Sequence, residues 1–207
     1  MDLLIETQYL PCLDYFIEII KSDKLYLEAF ENFQKQSYRN RCYILAANKI
    51  EVLSVPVLKS NTNKILTKDV EIDYTQPWQK KHWKAIQSAY GKAPYFEYFS
   101  DFFRSIYDKK PQFLWDLNVE IMTACLKFLK IEKKILFTTE YNKEGAIHVK
   151  ETRDMRSLIH PKKQNEITQA RYVQVFGRDF VPNLSIVDLI FNEGPNGKSV
   201  LMLGVNK

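Results

Sequence analysis

Three short clusters in this 207-residue chain combine side chains able to move protons or hold anions. The first is Trp78-Gln79-Lys80-Lys81-His82-Trp83. On a helix, Trp78, His82, Ala85, Ile86 and Ala89 share one face, so His82 points inward beside aromatic rings. An imidazole there can serve as a general base, or it can be a structural group with a satisfied hydrogen bond. The second cluster runs from Asn32 to Arg41 and holds Lys35, Tyr38, Arg39 and Arg41 among amide side chains. Guanidinium groups fork onto phosphate or carboxylate, and a tyrosine ring can stack on a flat ligand. A solvated connecting loop is the plainer reading of the same residues. The third is Gln8-Tyr9, which follows an apolar run and precedes Pro11, where a strand gives way to a helix. Helix N-termini favour anions, but a plain turn with proline as helix starter explains the pattern as well. Two polar residues also sit on apolar stripes, Asn118 and Asp188. Each needs a buried partner, and Asp188 could instead orient a histidine or hold an arginine.

The elements that must position these groups follow from the hydrophobic pattern. Leu3 to Thr7 reads as a buried strand. The chain from Pro11 reads as a helix with Leu13, Phe16, Ile17 and Ile20 on one stripe, and Lys24 to Ala29 as a second strand. This is a parallel βαβ start. Cys42–Ala47 and Ile50–Val57 form a hairpin about Asn48-Lys49. Asp69–Tyr74 alternates as a half-exposed strand should. Helices are expected over 79–90, 97–107 and 112–129, and strands over Lys134–Thr138 and Arg171–Phe176. A last helix is capped by Asn183 and stopped by Gly194-Pro195. Residues 142–165 read as polar loop. The fold class is therefore α/β, a mixed sheet flanked by several helices, with α+β as the alternative. No repeat or linker divides residues 1–207, which form one domain.

Composition narrows the function classes. Charge is mildly basic, +5, with six glycines and eight prolines, so disorder is excluded. That balance suits a small anionic substrate better than nucleic acid, which calls for a stronger basic stripe. No transmembrane run or signal peptide is read, and Cys12, Cys42 and Cys125 have no disulfide spacing, which together point to the cytoplasm. No phosphate-binding loop, dinucleotide fingerprint, nucleophile elbow or zinc spacing is present, so neither cofactor nor metal is expected.

Read together, several stretches resemble the WbqC-like family. They are Gln8-Tyr9-Leu10-Pro11 with Tyr15-Phe16, Lys35 to Arg41, Leu53 to Val57, and Trp78 with Lys81-His82. Further on come Ala89-Tyr90 with Ala93-Pro94-Tyr95-Phe96, and Asn183 to Asn192 with Gly194. The match is weaker from about Thr138 to Glu166. The resemblance implies a place in surface-polysaccharide or O-antigen (lipopolysaccharide) biosynthesis, and directs attention to Gln8, Tyr9, Pro11, Arg41, His82, Tyr90 and Asp188. The leading expectation is a biosynthetic transferase acting on an activated anionic substrate, a nucleotide sugar or an acyl or aminoacyl donor. In it His82 is the base with Asp188 beside it, Lys35, Arg39 and Arg41 hold the anion, and Gln8, Tyr9, Tyr38 and Tyr90 line the site. The rival is a non-catalytic module that binds a sugar nucleotide or a carrier.

Overall fold

The computed structural model describes residues 1–58, 64–143, 151–163, 167–177 and 179–205. The chain opens with strand β1 (Asp2–Glu6), helix α1 (Leu13–Lys21) and strand β2 (Lys24–Glu28). β1 and β2 pair in parallel, Leu3 opposite Leu25 and Glu6 opposite Glu28, so the expected βαβ start is present. Leu3, Leu4 and Ile5 are all buried, as a central strand covered on both faces requires. Strand β5 (Lys134–Phe137) adds in parallel outside β2, and β6 (Thr152–Asp154) in parallel on the other side of β1. The order is β5-β2-β1-β6. Connections thus run outward from β1 in one direction and then return to its opposite side. In sheets of this kind the crevice beyond the strand carboxyl ends is where ligands bind.

Strands β3 (Arg41–Leu45) and β4 (Ile50–Ser54) form a separate antiparallel hairpin. Helices α2 (Trp78–Tyr90), α3 (Phe96–Lys109) and α4 (Leu114–Phe128) follow, close to the expected ranges. On α2 the buried residues are Trp78, His82, Ile86, Ala89 and Tyr90, the helical spacing read from the sequence. Helix α5 (Ile186–Glu193) packs against α3 and α4, and α6 (Gly197–Val205) against α1. The fold class is α/β.

Some expected elements differ. Val70 and Ile72 are buried as the alternation implies, but residues 69–74 make only isolated bridges, Glu71 with Phe113 and Ile72 with Val57, rather than a strand. Residues 171–176 are irregular, and β6 lies inside the stretch read as loop. Residues 144–150 and 164–166 of that stretch fall outside the described residues. The helix expected to be last is α5, which α6 follows, and its cap is Ser185, whose hydroxyl accepts from the Val187 amide. Asn183 is used elsewhere: its Oδ1 accepts from the Asp14 amide in the first turn of α1. Pro11 sits just ahead of α1 rather than in its first turn, and its carbonyl accepts from the Ile186 amide. No described helix is long and apolar enough to cross a membrane.

Candidate functional site

Three of the four parallel strands end on an acidic side chain. β1 ends at Glu6, β2 at Glu28 and β6 at Asp154, while Thr138 follows β5. Glu6 and Glu28 are register partners on adjacent strands and both are buried. Neighbouring strands lie about 4.8 Å apart, so two acidic side chains buried side by side call for cationic partners. Two arginines do this. Arg39 forks onto Glu31 with Nε and Nη2 both at 2.6 Å, and its Nη2 lies 3.9 Å from Glu6. Arg156 bonds Glu28 through Nη1 at 2.7 Å and Asp154 through Nη2 at 2.7 Å. Burial works against the charge of Asp154, but the hydrogen bonds from Arg156 outweigh it and hold the carboxyl below its usual range.

Ser157 ties the cluster together. Its amide donates to Glu6 at 2.8 Å, and its hydroxyl accepts from Arg39 at 2.9 Å and from Gln34 at 2.8 Å. It holds a left-handed φ of 58° without being glycine, a conformation sustained only where surrounding bonds over-determine it. Through it the loop at 31–40 meets the loop at 155–163, with a further bond from Lys162 Nζ to Gln36 at 3.2 Å.

The two loops border two hollows. One, of about 580 Å³, lies over the strand ends and is lined by Glu31, Asn32, Gln34, Tyr141, Lys143 and Arg156 among others. The Arg156 guanidinium sits over the Tyr141 ring, 4.8 Å from its centroid. The second, of about 460 Å³, includes Tyr38, Tyr43 and Lys163 in its wall. Between them in sequence stands His160. Its Nδ1 accepts from the Lys162 amide at 3.2 Å, so the neutral ring carries its proton on Nε2. Partial burial, and then the cations Lys163, Arg39 and Lys162, lower its pKa. The imidazole is therefore neutral at pH 7 and offers an N–H donor. Among the described residues, no three His, Cys, Asp or Glu side chains gather as a metal site would need.

The structure brings Tyr9 to His82 and Tyr90 to Asp188 but gathers the residues singled out from sequence around no single hollow. His82 is 5% exposed, packed between Trp78 and Tyr107. Its Nδ1 is 2.8 Å from the Tyr9 hydroxyl, which is 2.6 Å from that of Tyr107, and the ring also bonds the Ser54 backbone. The Tyr9 hydroxyl thus bridges the His82 ring and the Tyr107 hydroxyl in one buried polar chain. Burial pushes the imidazole down to about 4, and the Ser54 bond opposes this only in part. Neither Tyr9 nor His82 lines either hollow. This arrangement favours a structural His82, held neutral in the core, over the general base expected of it.

Asp188 is fully buried and accepts from Tyr172 at 2.5 Å and Gln174 at 3.0 Å. Burial raises its pKa against the hydrogen bonds of Tyr172, Gln174 and Tyr90. It therefore anchors the 172–174 segment to α5, and Tyr90 beside it accepts from the Leu45 amide at 3.4 Å. Arg39 is spent on buried carboxylates rather than exposed to a ligand. Arg41, half-buried on β3, leaves Nε without a partner among the described residues. Gln8 is buried and donates to Glu6 at 3.3 Å, which puts it beneath the cluster. Lys35 is exposed on the loop at 31–40, and Tyr38 alone of the expected binding residues lines a hollow. Sequence reasoning missed Glu6, Glu28, Glu31, Asp154, Arg156 and His160. The available signal was that buried runs such as Leu3-Leu4-Ile5 and Leu25 to Leu27 each end on a glutamate within a residue.

Comparison with known proteins places this arrangement in context. The model of the WbqC-like protein family matches residues 7–169 and 159–200. The chain is similar to the uncharacterized protein Rv1507c of Mycobacterium tuberculosis (strain ATCC 25618 / H37Rv), 23% identical over 223 residues that span 96% of each chain. No solved structure matches.

Proposed function

The chain belongs to the WbqC-like protein family, and from that premise we propose that it is a small biosynthetic transferase acting on an activated, anionic substrate bound beyond the sheet's carboxyl ends. The observation that carries this reading is the 580 Å³ hollow at those ends, where the exposed Lys143 stands with the amides of Asn32 and Gln34 in the wall, Arg156 being committed to Glu28 and Asp154. The acids in its wall, Asp154 and Glu31, are bonded to Arg156 and Arg39, but with Glu6 and Glu28 behind them the cluster holds four carboxyl groups to two guanidiniums, so the positive charge for an anion comes from lysines. Lys143 is left as an exposed cation on the wall, and Lys35 and Lys162 stand exposed on the two loops that border it. A phosphate or pyrophosphate of a nucleotide sugar, or the phosphate of an acyl or aminoacyl donor, suits such a set of donors. Transfer also requires a hydrogen-bond donor near the leaving group, and the Nε2–H of neutral His160, on the loop beside the hollow rather than in its wall, is offered for that role. A role in building surface polysaccharide is consistent with this chemistry.

The test is a turnover assay on nucleotide sugars and acyl phosphates, run beside binding measurements. Lys143→Ala should weaken donor binding about tenfold, the value of one charge-assisted contact. His160→Leu, which removes that N–H where glutamine would restore one, should lower the rate of conversion by roughly 100-fold while donor binding persists. Donor binding with no conversion across plausible acceptors would favour a carrier or sugar-nucleotide binding module instead. Donors that bind equally well to Lys143→Ala would remove the hollow from the account.

A further inference from the structure

The second hollow has a different chemistry from the first. Its volume of about 460 Å³ falls in the range of roughly 300–1,000 Å³ usual for small-molecule sites. Ile50, Pro161, Ile167, Pro182 and Leu184 supply apolar wall, and Tyr38 and Tyr43 supply two rings. Those rings meet edge to face, centroids 5.8 Å apart at 77°, an arrangement that forms an aromatic corner. Ile50 is 47% exposed on this wall, so an apolar ligand seated there would remove hydrocarbon from water.

The polar groups are unevenly disposed. Asp14 is only 2% exposed and accepts from the Gln169 carboxamide. The other end of that carboxamide accepts from the Asn183 amide at 2.8 Å, and Asn183 Oδ1 accepts from the Asp14 amide at 3.2 Å. These three residues therefore form a polar floor bonded together, with Asp14 buried at its base and away from the rim. Lys163, by contrast, is exposed, and its ammonium reaches the Ser157 carbonyl at 3.2 Å with donors to spare. Among the described residues, a ligand therefore meets the Lys163 ammonium at the exposed rim and an apolar, aromatic wall, with the Asp14 carboxyl group confined to the buried floor.

We infer that this hollow is a second binding site, for a small carboxylate with an aromatic or branched apolar body, whose ring or chain packs against Tyr38, Tyr43 and Ile50 and whose anionic head meets Lys163. The site is separate from the anion hollow over the strand ends, with which it shares loops but no lining residue. Its occupant therefore does not compete with a phosphate ligand there.

The experiment is ligand-observed NMR and calorimetry on the full chain with benzoate, phenylacetate and 3-methylbutanoate, against neutral benzamide and benzyl alcohol. The carboxylates should bind about tenfold more tightly than the neutral compounds, the value of one charge-assisted hydrogen bond. Lys163→Met should abolish that preference. Tyr43→Ala should lose binding and Tyr43→Phe should keep it, and inorganic pyrophosphate should leave it unchanged. If Tyr43→Ala fails to fold, the Lys163→Met and Tyr43→Phe pair still decides. Neutral analogues binding as well as the acids, no carboxylate binding at all, or full binding by folded Tyr43→Ala would overturn the inference. Failure of pyrophosphate to bind would count against the anion hollow alone and leave this site standing.

Discussion

Acidification should expose the cost of keeping His82 neutral. The ring is buried, bonded to Tyr9 and to the Ser54 backbone, and its pKa falls from 6.5 to about 4 in the fold. An unfolded chain takes up a proton at 6.5, whereas the native one refuses it until about 4. Between those values the unfolded state holds more protons, so stability falls as pH drops through that window. Above 6.5 the contribution is fully present, and below about 4 it is gone. The gap, at about 1.4 kcal/mol per pH unit, amounts to roughly 3 kcal/mol. Urea unfolding at intervals from pH 7 to pH 4, on the native chain and on His82→Gln, isolates the effect from that of the carboxylates. The native chain should lose about 3 kcal/mol more than the variant over this interval. Parallel profiles for the two proteins, or an NMR titration placing His82 near 6.5, would refute a buried neutral imidazole.

Three further outcomes follow from the packing. Arg39→Met should cost about 3–5 kcal/mol at pH 7, because Glu31 and Glu6 would remain buried without their cation; the urea midpoint measures it. Tyr9→Phe removes the hydroxyl between His82 and Tyr107 and should cost about 1–3 kcal/mol, read in the same way. Gly194→Ala should destabilise by roughly 1–3 kcal/mol or more, since its Cβ would lie 2.5 Å from the Tyr95 ring at a φ of 54°; a lowered melting temperature is the readout, and Gly204→Ala, against the Thr168 carbonyl at 2.7 Å, is a comparison without the φ penalty.

Most of the fold was legible because it rests on runs of apolar residues. The run Leu3-Leu4-Ile5 and the stripe of Leu13, Phe16 and Ile17 announce β1 and α1, and the spacing of Trp78, His82, Ile86 and Ala89 announces α2. β6 escaped because Thr152-Arg153-Asp154 contains no apolar residue and is a strand only by pairing with β1. Arg171–Phe176 alternates like a strand, yet Tyr172 and Gln174 turn inward to bond Asp188 instead of pairing a neighbour. Helix α6 was hidden behind Gly194-Pro195, which ends α5 but opens a 3-10 turn that leads straight into the next helix.

The candidate site was less legible than the fold. Periodicity turned His82 inward correctly, but inward is core as often as cavity, and only coordinates tell them apart. Arg39 read as a ligand-binding cation because no local pattern reveals that Glu6, from a distant strand, and Glu31 converge on it. Arg156 and His160 lay in a polar stretch with no period, and their importance comes from β6 returning beside β1. Side chains at strand ends are brought together by topology, which sequence spacing does not encode.

The central claim is that ligand chemistry sits at the strand carboxyl ends and not around His82. Backbone amide NMR with inorganic pyrophosphate tests it most directly. The account predicts the largest shift changes at Asn32, Gln34, Lys143, Arg156 and Ser157, with Trp78 and His82 unmoved. Changes centred on Tyr9, His82 and Tyr107, with the strand ends silent, would contradict it.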